Sequence, residues 1–74
     1  MKFVVLYVAN EEDALRYRKI LEDRGIQVPI HVVSKEDILV FEAYELPALV
    51  TEHITYVGEF VVTQTLLAYK KSGR

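Results

Sequence analysis

Asn10, Glu11, Glu12, Asp13 and Ala14 follow directly on the apolar run Phe3–Val8 and open a segment with helical periodicity. Three consecutive carboxylates at a strand-to-helix turn form the densest group of chemically active side chains in the chain. In small α/β proteins such a turn is where ligands and catalysis are usually found. The chemistry these residues could offer is a site for a divalent cation or a cationic partner. Two physical facts oppose it. Carboxylates in a first helical turn are favoured by the helix dipole by about 0.3–1 kcal/mol each, with no ligand involved. Successive helical residues also diverge by about 100°, so three in a row cannot all face one ion. The stretch therefore reads as a favourable helix start, and no metal is assigned to it. His31 and His53, the two histidines, each stand alone without carboxylates at ligand spacing. There is no serine–histidine–aspartate set and no glycine-rich phosphate loop among three glycines, so neither a catalytic group nor a cofactor is implied.

Composition narrows the function further. The 74 residues contain no cysteine. That excludes disulfides, dithiol chemistry, thiolate zinc sites and cysteine-ligated iron–sulfur clusters. A net charge of −2 argues against nucleic acid, which rewards clustered lysine and arginine. Charge is nonetheless uneven: from 34 to 65 a single base, Lys35, faces Glu36, Asp37, Glu42, Glu45, Glu52 and Glu59, and the chain then closes on Lys70, Lys71 and Arg74. No apolar run approaches the length of a membrane span. Met1 and Lys2 lead straight into an apolar run without a cleavage-site pattern, so a cytoplasmic location is expected.

The elements that would position these residues read as follows. Phe3 to Val8 is continuous, β-branched and aromatic, as in a central strand covered on both faces. Asn10 is an N-cap, with Asp13 three residues on as a weak capping box. Ala14, Tyr17 and Leu21 then share one helical face with Ile20 beside them, Glu12/Arg16 stand at i,i+4, and Gly25 is placed as a left-handed C-cap. Ile26 to Val33 is expected as a second strand, alternating Val28, Ile30 and Val32 inward, with Pro29 placing it at an edge. Strand, helix, strand makes a right-handed βαβ unit with parallel strands. Ser34 caps a segment, Lys35 to Glu45, whose Ile38, Phe41 and Tyr44 suggest a short helix; a strand through Ile38 to Phe41 is the alternative. Pro47 to Thr51 and Ile54 to Val57 follow as two strands around a turn at Thr51-Glu52-His53, and Glu59 to Ser72 is a final helix after Gly58. The order β-α-β-α-β-β-α suits the thioredoxin fold: one domain over 1–74, with a four-stranded mixed sheet and helices on both faces.

Several of these stretches resemble glutaredoxins and thioredoxin-like proteins, most closely the small glutaredoxin-like redoxins. The opening VVLY and the helix end RYRKILEDRGI look like the family's first strand and active-site helix. Leu46-Pro47-Ala48-Leu49-Val50 looks like its cis-proline strand, and Tyr56-Val57-Gly58 stands where the redoxins carry an aromatic-small-glycine turn. The resemblance covers nearly the whole chain and implies a cis peptide at Pro47. It fails at the reactive centre. Counted back from Gly25, the family's two redox cysteines fall on Glu11 and Ala14, giving Glu-Glu-Asp-Ala for C-x-x-C. Disulfide exchange needs a thiolate nucleophile. The resemblance thus implies the scaffold while the residues exclude the reaction.

What remains is binding. One candidate surface is the groove where the redox motif would lie: Asn10, Glu11, Glu12, Asp13, Ala14 and Leu15 on one side, Leu46 and Pro47 on the other. A second is the outer face of the last helix. Val62, Leu66 and Tyr69 share one stripe there, while Phe60 and Leu67 lie roughly opposite. The expected function is a redox-inactive, non-enzymatic binding, adaptor or structural module, pairing with itself as a homodimer or with another protein. The alternative is a protein that binds glutathione or a similar small thiol without exchange, with Arg16 and Arg18 as the nearest anchors for its carboxylates.

Overall fold

The computed structural model describes residues 2–33 and 46–69, and the segment 35–45, for which a helix is expected, lies outside the described residues. The order of elements is β1 (Phe3–Val8), α1 (Glu11–Arg24), β2 (Ile30–Val32), β3 (Ala48–Thr51), β4 (Thr55–Val57) and α2 (Glu59–Ala68). The chain is an α/β protein with one four-stranded mixed sheet in the order β2-β1-β3-β4. β1 pairs parallel with β2 through Leu6↔Ile30 and Val8↔Val32, and antiparallel with β3 through Leu6↔Leu49 and Tyr7↔Ala48. β3 and β4 form an antiparallel hairpin. Among the described residues β2 is an edge strand, and Pro29 stands just before its pairing begins.

α1 forms where its local signals say it should. Asn10 Oδ1 accepts the Asp13 amide at 2.8 Å, and Asn10 is itself extended at φ −157°. At the far end Gly25 takes φ 67°; its amide donates to the Glu22 carbonyl at 3.1 Å and the Ile26 amide to the Leu21 carbonyl at 2.9 Å. These two bonds are the Schellman closure, and Leu21 and Ile26 both sit in the core beneath it. That closure also corrects the expected start of β2. The Ile26 amide is committed to the helix end and Pro29 has no amide to give, so regular pairing begins at Ile30 rather than Ile26.

α2 forms for a different reason. Val61, Val62, Thr63 and Thr65 are β-branched, and Gly58 supplies no side-chain cap. Such a short helix depends on packing. Val62 and Leu66 provide it, both with no exposure, against Leu6, Val8 and Leu49 of the sheet and Ala14, Tyr17 and Leu21 of α1. The helix ends at Ala68 rather than Ser72 because Tyr69 is extended (φ −66°, ψ 131°) and its ring packs on Phe3 at 4.9 Å between centroids. Both described helices lie on one face of the sheet, so the expected helices on both faces are not seen among the described residues.

The β3–β4 hairpin turns at Thr51-Glu52-His53 as expected. Thr51, 6% exposed, donates its hydroxyl to the Ile54 carbonyl at 2.7 Å and accepts the Ile54 amide at 3.0 Å. The Leu46–Pro47 peptide bond is cis. Gly58, at φ 93°, turns the chain from β4 into α2, and its amide donates to the Pro47 carbonyl at 2.9 Å.

Candidate functional site

The carboxyl end of β1 is where the first candidate surface is assembled. β1 ends at Val8 and the chain enters α1 through Asn10, while Tyr7 pairs with Ala48; continuing that register sets Pro47 level with Val8. The topology therefore brings the Asn10 turn and Pro47 to the same end of the sheet. The side chains are less suited to a groove than their positions. Asn10 is spent on capping, Ala14 is 3% exposed within the core, and Pro47 is buried. Leu46 is half-buried. Glu11, Glu12 and Leu15 are exposed, Leu15 at 64%.

Asp13 does not join Glu11 and Glu12 around a common point. Its carboxylate pairs with Arg16 at 3.1 Å, and the same guanidinium reaches Glu59 at the start of α2 at 3.0 Å. The expected Glu12–Arg16 pair is displaced by these two. Arg16 also lies 5.0 Å from the centroid of the Tyr17 ring, over its face. Beneath it the Tyr17 hydroxyl meets Thr63 Oγ1 at 3.3 Å. Together these contacts clamp the N-terminal half of α1 to α2, across 43 residues of sequence in the Arg16–Glu59 case. The periodicity of either helix alone does not reveal this pairing. Its only sequence signal is that Glu59 and Arg16 are opposite in sign and each stands in the first half of its helix.

Among the described residues no group of three or more histidine and acidic side chains is placed to hold a metal ion. His31 stacks edge-on against Tyr7 at 5.6 Å, and His53 lies 3.9 Å from Glu52 in the exposed hairpin turn. No buried side-chain nitrogen or oxygen is left without a hydrogen bond among the described residues.

The second candidate surface is of another kind. Phe60 is 75% exposed and Leu67 42%, with Val61 at 42% beside them. Gln64 and Ala68 are exposed on the same side, and a shallow depression runs along Glu59, Phe60, Thr63 and Gln64. Gln64 and Val61 are not obvious from sequence, because Phe60–Ala68 carries no charged residue and gives periodicity little contrast to work with. Another shallow groove, lined by Arg18, Leu21, Glu22, Ile26, Val28 and Pro29, follows the loop from α1 to β2. No helix among the described residues is long and apolar enough to cross a membrane. No protein-family model matches the chain, and neither a curated protein nor a solved structure matches it.

Proposed function

We propose that this chain is a non-enzymatic binding module on a thioredoxin-type, glutaredoxin-like scaffold, and that it makes its contact through the outer face of α2. The scaffold reading is supported by the strand order β2-β1-β3-β4, with one parallel and two antiparallel pairings, and by α1 and α2 sharing a face. The absence of cysteine removes the chemistry such scaffolds perform. The observation that carries the binding reading is Phe60. A phenylalanine three-quarters exposed, flanked by exposed Val61 and Leu67 on an uncharged helix face, is the kind of feature that marks an interaction surface.

The groove at the start of α1 is the weaker surface. Its central side chains are committed to the cap and the core, and Arg16 is already held by Asp13 and Glu59. A glutathione-like ligand would meet Glu11 and Glu12 there, with Arg16 already paired; Arg18, the other anchor, is exposed two turns along α1 and lines the groove toward β2. Calorimetric titration with glutathione is expected to give no saturable binding at millimolar concentration.

The binding reading is tested by immobilising the full chain and Phe60→Lys side by side and comparing what each retains from an extract of the host, further copies of the chain included. Selective loss from the Phe60→Lys column supports the reading. Identical retention by both columns overturns it.

A further inference from the structure

The outer face of α2 has three properties that bear on what covers it. The first is charge. Phe60, Val61, Gln64, Leu67 and Ala68 are all exposed and none is ionisable, and the adjoining Glu59 is paired with Arg16 at 3.0 Å. The whole chain carries only −2, so long-range repulsion between copies is weak, and it is least where the meeting surfaces present no unpaired charge. The exposed side of α1, with Glu12, Lys19 and Asp23, does not meet that condition.

The second property is spacing. Phe60, Gln64 and Leu67 stand at i, i+4 and i+7, the rhythm by which one helix seats against another. Laid antiparallel on itself about a two-fold axis close to Gln64, the face sets Phe60 of each copy against Leu67 of the other. The Gln64 amide carries both donors and an acceptor, so it can bond its own symmetry mate. The antiparallel arrangement also sets opposite helix-dipole ends together.

The third property is size. α2 has ten residues and is therefore about 15 Å long. A contact limited to it falls short of the roughly 800 Å² per partner of a standard stable interface. That is too little for a permanent complex, and it suits a reversible pairing of copies.

We infer that the outer face of α2 is covered by the same face of a second copy of this chain, in an antiparallel helix pair centred near Gln64. This rests on the reading of that face as the binding surface and names its occupant. The dimer forms reversibly, at micromolar protein concentration or above.

The chain's lack of cysteine makes the geometry directly testable. Sedimentation velocity of the full chain over a concentration series is expected to move from the 8.6 kDa monomer toward twice that mass. Phe60→Lys, with an unchanged circular dichroism spectrum, is expected to weaken the association about tenfold or more. Gln64→Cys places a single thiol near the axis, where antiparallel helices bring facing positions within disulfide reach. Under mild oxidation it is expected to form a covalent dimer far faster than Lys19→Cys on the outside of α1. A dimer in which the two cysteine variants cross-link at equal rates lies on another surface and overturns the inference. A monomer at every concentration overturns it too, yet leaves the binding reading standing if the Phe60→Lys column still loses other host proteins.

Discussion

Phe60 and Val62 are two residues apart on one helix, and the structure assigns them opposite roles that a stability measurement can separate. Val62 has no exposure and packs in the core, whereas Phe60 is 75% exposed. Val62→Ala removes two buried methyl groups, worth about 0.8 kcal/mol each, and leaves a void that the surrounding Leu6, Leu49 and Leu66 only partly fill. The expected cost is about 2 kcal/mol. For a domain of this size total stability is on the order of 4–11 kcal/mol, so the loss is a substantial share. It should lower the melting temperature by about 8–16 °C. Phe60→Ala removes the larger side chain, yet should change stability by no more than about 0.5 kcal/mol in the monomer, because most of that ring is already in water. The assay is urea unfolding followed by far-ultraviolet circular dichroism, run at the lowest workable protein concentration and again about a hundredfold higher. If copies pair through α2, the wild-type midpoint rises with concentration while that of Phe60→Ala does not. A Phe60→Ala loss above about 1.5 kcal/mol at the low concentration would refute the reasoning, since it would make Phe60 part of the monomer's core.

Three further outcomes follow from individual contacts. Thr51→Val keeps the shape of the hairpin residue but removes the hydroxyl's bonds to Ile54; the Ile54 carbonyl keeps the Thr51 backbone amide at 2.9 Å while the Ile54 amide loses its partner, so unfolding should register a loss of about 1 kcal/mol, largely restored by Thr51→Ser. Gly25→Ala meets open space, so its cost is the left-handed backbone alone, about 1–2 kcal/mol by thermal melting, with Gly25→Asn clearly milder. Arg16→Ala cuts two ion pairs, but its side chain is 46% exposed and that of Glu59 64%; the expected cost is below about 1 kcal/mol and should shrink further as salt is raised.

How far the sequence can be read depends on whether the deciding contacts are local. α1 is legible at both ends because Asn10 and Gly25 act within a turn of themselves, and the structure places the helix between them. The β3–β4 turn is legible for the same reason. The start of β2 is not, because alternation of Val28, Ile30 and Val32 says nothing of the Ile26 amide being taken by Leu21. The end of α2 is missed likewise: nothing near Ala68 forbids another turn, and the chain leaves the helix where the Tyr69 ring reaches Phe3 at the far end of the sequence. In the candidate groove the residue types were readable, and so was the place of Ala14 on the buried face with Tyr17 and Leu21, but not that Pro47 would be buried or that Arg16 would turn to Glu59. Those depend on how two helices 35 or more residues apart come to lie together.

The contrast between the two helices bears on function more than any single residue does. α1 carries its own stabilising devices: an N-cap bond, a Schellman closure, and an exterior of alternating charge that needs no cover. α2 has none of these. Its N-terminus lacks a side-chain cap, Thr65 spends its hydroxyl on the Val61 carbonyl at 2.8 Å, and β-branched residues reduce its intrinsic helicity. For a helix held only by its inner face, polar residues outside would cost nothing in packing and would favour solubility. The chain instead places Phe60, Val61 and Leu67 there. Core packing among the described residues does not account for them, because the buried positions of α2 are Val62 and Leu66. Local helix stability cannot either, because valine and phenylalanine are poorer helix formers than the lysine or glutamate that could stand in their place. What both accounts leave over, among the described residues, is an apolar surface that the proposed pairing of copies would bury, and a second layer laid on it would supply a hold on α2 that the helix does not provide for itself.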